Sequence, residues 1–184
     1  GGGEMSKQER VMVDIETMGT ERGAAIVSIG AVRFTTSGFD ETFHRSISLK
    51  SCQDAGLTVD AETLEWWLTQ NSEAKEQLVG GDSLRAVLHG FSEWYDGADE
   101  IWANSPSFDC ELLEAAYDAV GLEEPWEFWE ERDVRTVKSL PIANEREHRG
   151  VEHDALDDAV HQARVVAKTL DAIDSDLTEV STDE

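Results

Sequence analysis

The sequence runs to 184 residues with 40% hydrophobic content and six tryptophans, enough to bury one sizeable core in a single domain and too apolar for a disordered acidic chain. No run approaches the roughly 18 consecutive apolar residues of a membrane span, and the opening Gly1-Gly2-Gly3-Glu4 has neither the basic nor the apolar part of an export signal. Forty acids against 15 bases leave a net charge of −25, so the chain repels itself and any polyanion at low ionic strength, a balance that points to a halophilic source or to a basic partner.

Residues 1–9 read as a flexible start that resembles a cloning remnant, residues 10–173 as the folded domain, and residues 174–184 as an acidic, frayed tail. Cys52 and Cys110 stand far apart, without zinc-site spacing or a disulfide framework. Two free thiols suit a reducing cytoplasm.

The first predicted element is the stretch Val11-Met12-Val13-Asp14-Ile15-Glu16-Thr17-Met18-Gly19, a buried strand that ends in two carboxylates and a glycine turn. Side chains alternate across a strand, so Asp14 and Glu16 share one face while Val13 and Ile15 fill the other. Like charges held that close raise each other's pKa and cost stability unless a cation sits between them. Oxygen ligands of this kind favour magnesium or manganese over zinc. The plainer alternative is a strand that frays into a solvated acidic turn.

Ala24 to Phe34 and Phe39 to Leu49 read as two further strands around the Thr36-Ser37-Gly38 turn, giving an antiparallel meander. Asp60 caps a predicted helix over Ala61 to Gln70 with Leu64, Trp67 and Leu68 on its apolar stripe and Trp66 beside it. A second helix starts at Asp82 and runs to Tyr95, stopped by Gly97. Glu100 to Asn104 is a short strand, followed by a helix from Ser107 to Val120, an aromatic acidic connection, a short helix from Val134 to Leu140 and a long one from Asp154 to Ile173. Strands first and helices later, with one late strand returning to the sheet, predict an α/β fold with a mixed sheet.

Two more acids carry chemical interest. Asp109 lies in the first turn of its helix, where its neighbours Leu112, Leu113, Ala116 and Val120 form the apolar stripe and an acid is equally well explained as a dipole partner. In His153-Asp154-Ala155-Leu156-Asp157-Asp158 the last acid falls off the buried face of the final helix and can reach into a cleft. Asp154 suits the helix cap, and a lone histidine among acids is also an ordinary surface residue.

Taken in order, the Asp-x-Glu strand, the later Asp109 and the closing His-x4-Asp resemble the DEDD superfamily of 3′-to-5′ exonucleases. His153 in the position where other members carry tyrosine is similar to the DEDDh branch. Asp14-Ile15-Glu16-Thr17-Met18-Gly19, Asn104-Ser105-Pro106-Ser107-Phe108-Asp109 and Arg132-Asp133-Val134-Arg135-Thr136 resemble the group containing the T-even phage exonuclease A and a mycobacterial exoribonuclease. The resemblance runs from about Val11 to Ile173. It implies a ribonuclease-H-like mixed sheet flanked by helices and a site holding two Mg2+ or Mn2+ ions on Asp14, Glu16, Asp109 and Asp158, with His153 as general base. It also implies that Thr17 holds the terminal 3′-OH of a single-stranded DNA or RNA and that Met18 wedges against the last base.

Alternatives stay open around that frame. Met18 is equally a core residue, and Phe108 either stacks on a base or packs beside Asp109. Arg132 and Arg135 either meet phosphate or pair with Asp133. Trp126 and Trp129 suit the core or a homodimer surface. An inactive nucleic-acid-binding domain, or an acidic mimic of DNA, is the competing function.

Overall fold

The structure, a computed structural model, describes residues 8–143 and 150–180. Strands β1 (Arg10–Thr17), β2 (Ile26–Thr35) and β3 (Gly38–Ser46) form the expected antiparallel meander, and β4 (Glu100–Ala103) and β5 (Glu131–Asp133) add to it in parallel with β1. The order across the sheet is β3-β2-β1-β4-β5. Around it lie α1 (Leu49–Asp54), α2 (Ala61–Leu68), α3 (Ser72–Lys75), α4 (Leu84–Tyr95), α5 (Pro106–Ala119), α6 (Val134–Lys138) and α7 (Ala155–Val180).

The sheet separates two cores, and the pleat of β1 explains which side chain goes where. Val11, Val13 and Ile15 join Val87, Leu88 and Phe91 of α4 and Leu112 and Leu113 of α5 in the larger cluster. Met12 packs on the other face with Val32, Phe34, Trp102 and the Ala159, Ala163 and Val166 stripe of α7. Asp14 and Glu16 continue the Met12 face by strict alternation, so they emerge toward the start of α7. Gly30 of β2, paired with Asp14, lets α7 approach closely: a Cβ there would lie 2.2 Å from the backbone of Ala155 and Leu156.

Several elements differ from expectation. Leu49 opens helix α1 under the Ser48 cap instead of ending β3. Helix α4 is capped by Ser83, whose oxygen accepts from the Ala86 N–H, while Asp82 pairs with Arg45 at 2.8 Å. The connection after α5 contains β5, a strand of only three charged residues held by backbone pairing to β4, which leaves no alternating side-chain signal. On α2 only Trp67 is fully buried, whereas Leu64 and Leu68 are 40% and 64% exposed. Helix α7 runs to Val180, so residues 174–180 of the expected tail are helical, with Ser175 and Thr178 hydroxyls donating to carbonyls one turn back. The rest of that tail, 181–184, and residues 1–7 of the expected flexible start lie outside the described residues. Among the described residues no helix is long and apolar enough to cross a membrane.

Candidate active site

Three segments far apart in sequence bring their acids to one place. β1 delivers Asp14 and Glu16 on the α7 face, with a register shift between Glu16 and Thr17 that ends regular pairing there. The β4–α5 junction delivers Asp109 in the first helical turn, after Pro106 at the helix start. There Asp109 is 3% exposed and its Oδ2 accepts from the Ile15 N–H at 3.2 Å. The first turn of α7 delivers Asp158, and the segment before it delivers His153.

Glu16, His153 and Asp158 each offer a ligand atom, and these atoms lie within 4.8 Å of one another. The electrostatics match the crowding. Burial, and then Asp109, Glu16 and Asp158, hold the Asp14 carboxyl well above the usual carboxylate range. Burial, and then Asp158, push Glu16 from near 4.5 up to about 9. Asp109 is raised by burial to about 7, against the backbone N–H bonds that stabilise its charged form. Crowded carboxylates of this kind are not all ionised at neutral pH without a counter-charge, and by their chemistry they could hold a hard divalent ion.

His153 is held from two sides. Its ring stands edge-on to Trp66 with centroids 4.8 Å apart and planes at 84°. Its backbone sits at φ 63°, in the left-handed region, and its carbonyl accepts from Gln77 Nε2 at 2.8 Å. On either side of it, the Val151 N–H donates to Asp157 at 2.8 Å, and Asp154 Oδ1 accepts from the Asp157 N–H at 2.9 Å, which starts α7 as the sequence reading expected of Asp154.

Beside these acids opens a cleft of about 400 Å³ whose walls include Glu16, Thr17, Asp60, Thr63, Trp66 and Phe108. Thr17 donates from its hydroxyl to the Gly19 carbonyl at 2.6 Å, and its own carbonyl accepts from Trp67 Nε1 at 2.9 Å. Phe108 is half-buried, lining the cleft wall while packing against the larger core.

Met18 is wholly buried in the larger core, one of the two places its sequence position allowed, its N–H donating to Ala25 and its carbonyl accepting from Asp60. The arginines also separate. Arg132 lies 3.7 Å from buried Glu100 and donates to the carbonyls of Trp129 and Glu131. Arg135 is exposed, with Nε donating to Asn104 Oδ1 at 3.2 Å. Asp133 accepts from the backbone N–H of Arg135 as the cap of α6. Neither guanidinium is ion-paired with Asp133, one of the two readings the sequence allowed. Trp126 is core, 4% exposed, and Trp129 is 61% exposed beside Phe128.

Sequence reading missed Trp66 and Gln77. Trp66 neighbours the stripe of a predicted helix, but nothing local says that its ring meets a histidine 87 positions later. Gln77 sits in a short 3-10 turn after α3 that has no periodic signal.

Comparison with known proteins gives these likenesses. Residues 9–170 match the model of the 3′-5′ exoribonuclease Rv2179c-like domain. An exodeoxyribonuclease of Enterobacteria phage T4 is 28% identical over 156 residues, covering 68% of each chain. The nuclease domain of 3′hExo, a DEDDh family member solved bound to rAMP, superposes with a TM-score of 0.66 at 14% identity, over 92% of this chain and 94% of that one. Pop2p of S. pombe, solved in a form with Mg2+ and Mn2+ bound, gives 0.57 at 13% identity, over 91% and 84%. At such identities the two structures speak for the fold alone, a ribonuclease-H-like sheet flanked by helices.

Proposed function

The chain belongs to the 3′-5′ exoribonuclease Rv2179c-like domain family, and from that premise we propose that it removes nucleoside monophosphates one at a time from the free 3′ end of single-stranded nucleic acid. The observation that carries the reading is the meeting of Asp14, Glu16, Asp109, Asp158 and His153 at one end of β1, with three of the acids held above their ordinary pKa values. Such a cluster is costly as an isolated feature and becomes useful with divalent cations between the carboxylates.

Asp14, Glu16, Asp109 and Asp158 are the residues that would hold Mg2+ or Mn2+, as Pop2p does in its own solved form. Two such ions, when bound, supply Lewis acidity for both the attacking and the leaving oxygens of an in-line displacement at phosphorus. His153, beside Glu16 and Asp158, takes the proton of the attacking water, a task for which imidazole is suited near neutral pH. Trp66 limits the swing of that ring by facing it edge-on. Thr17 offers its hydroxyl oxygen to the terminal 3′-OH, and Phe108 and Trp66 bound the space for the last base. Arg135, exposed on α6 with its Nε on Asn104, would meet a phosphate of the incoming strand, and Arg132, 3.7 Å from Glu100, would serve the fold. The reaction breaks the P–O3′ bond, puts the water oxygen on phosphorus and leaves a new 3′-OH on the shortened strand.

The family's description names RNA and the phage relative's names DNA. Matched 5′-labelled RNA and DNA oligonucleotides, with free or blocked 3′ ends, are therefore digested with and without Mg2+ or Mn2+. The expected result is a ladder shortening from the 3′ end, only with metal and only with a free end. Full activity in excess chelator, or cleavage of blocked strands at internal positions, would overturn the reading.

A further inference from the structure

We propose that Gln77 is a positioning residue for His153, acting through the backbone and without touching substrate; the inference rests on the assignment of His153 as general base made above. Gln77 is 5% exposed, and its side-chain amide is used at both ends. Its Oε1 accepts from Ser28 Oγ at 2.6 Å and from the Ala155 N–H at 3.3 Å. Its Nε2 donates to the Ala74 carbonyl at 3.0 Å and to the His153 carbonyl at 2.8 Å.

One side chain thereby ties β2, α3, the His153 segment and the first residue of α7 together. The His153 backbone needs such a restraint. At φ 63° it occupies the left-handed region, which is uncommon for residues with a Cβ and is held in place by neighbouring contacts. The bond from Gln77 to the His153 carbonyl fixes the peptide plane just after that φ, and the bond to the Ala155 N–H fixes the chain two residues on. With both ends held, the imidazole is directed against Trp66 and toward Glu16 and Asp158. Ser28, the anchor on β2, pairs with Glu16 of β1, so the clamp references the base to the strand that carries the acids. A base displaced by even about 1 Å loses a large part of its effect.

The test uses the full chain and the variants Gln77→Met, similar in volume without hydrogen bonds, and Gln77→Asn, one methylene too short to span Ser28 and the His153 carbonyl together. In folded protein each should lower kcat on the order of 10-fold or more with KM changed less than about twofold. In a His153→Ala background the same substitutions should cost nothing further, because their effect passes through the missing ring. A second readout needs neither metal nor turnover: the His153 ring C–H resonances, assigned by their loss in His153→Ala, carry a ring-current shift from Trp66 and should move toward their unstructured positions in both Gln77 variants. Unmoved resonances, or an equal loss of kcat in both backgrounds, would overturn the positioning role. Collapse of folding in both variants would overturn it too, making Gln77 a core strut. Wild-type kcat in His153→Ala sinks the base assignment itself, and Gln77 with it as a catalytic aid; moved resonances alongside that result would mark it as a failure of chemistry and not of geometry.

Discussion

The acids of the site can be tested one residue at a time, because their protonation is built into the stability of the fold. Glu16 binds its proton up to about 9 in the folded protein and only near 4.5 when burial and neighbours are absent. Between these values the folded state holds protons that the unfolded state has released, so metal-free stability is greatest at the acid end and falls as pH rises. Asp14 and Asp109 are shifted in the same direction. Chemical melts in chelator from about pH 5 to about pH 9 should show a downward slope that is shallower in Glu16→Gln by on the order of 1–3 kcal/mol across the range. Equal slopes in both proteins would mean that the site acids do not carry the strain. Added Mg2+ should raise the alkaline end selectively by giving the ionised acids a partner. For His153, substitution by alanine should slow nucleotide release on the order of 10²-fold or more while metal affinity changes little. Calorimetric titration of Mn2+ into that variant checks the second half: lost affinity would make the ring a ligand.

At the scale of elements, the site depends on how closely α7 lies on the sheet. Gly30 faces the same side of β2 as Val32 and Phe34, which pack on α7, and the backbone of Ala155 fills the space where its side chain would be. Gly30→Ala would force the start of α7 outward, since the obstruction is backbone and not a flexible side chain. Overpacking of this kind costs about 1–3 kcal/mol. The same displacement carries Asp158 away from Glu16, so activity should fall by more than the loss of folded protein explains. Parallel denaturant melts and digestion rates check this; a stable variant of full activity would show that α7 can shift without moving its acid. Gly30 was visible as a glycine within a strand, but its reason was not, because the obstructing residue comes 125 positions later.

The whole molecule is governed by its −25 charge. Nucleic-acid binding ordinarily weakens as salt rises, through counterion release at each phosphate contact, but a chain with 15 bases in total has few such contacts to lose. Repulsion within the chain and against the substrate acts the other way. It is largely screened once the Debye length falls from about 10 Å at 0.1 M salt to about 3 Å at 1 M. Stability and digestion rate should therefore both increase between 0.1 M and molar KCl at constant magnesium. Melting curves and single-strand digestions at each step check this, and a monotonic fall in both would remove the support for adaptation to high salt.

Much of this protein is determined locally. The meander follows from three runs of β-forming residues around a Thr-Ser-Gly turn, and the carboxylate face of β1 follows from a spacing of two, because alternation is a property of any strand. The acids of α5 and α7 were legible through the order of the three motifs that resemble a known family, since Asp109 by itself shares the buried face of Leu112, Leu113 and Ala116. Tertiary structure alone decided the rest. The sequence left Met18 open between core and base wedge, and its complete burial comes from the elements packed over it; it left Arg132 open between phosphate and an ion pair, and the acid 3.7 Å away is Glu100 of a neighbouring strand. The three residues of β5, the ring of Trp66 and the four bonds of Gln77 gain their meaning from partners on other elements. Local sequence sets backbone periodicity, whereas burial, pairing of charge and the satisfaction of an amide are set by which distant segments the folded chain brings within a few ångströms.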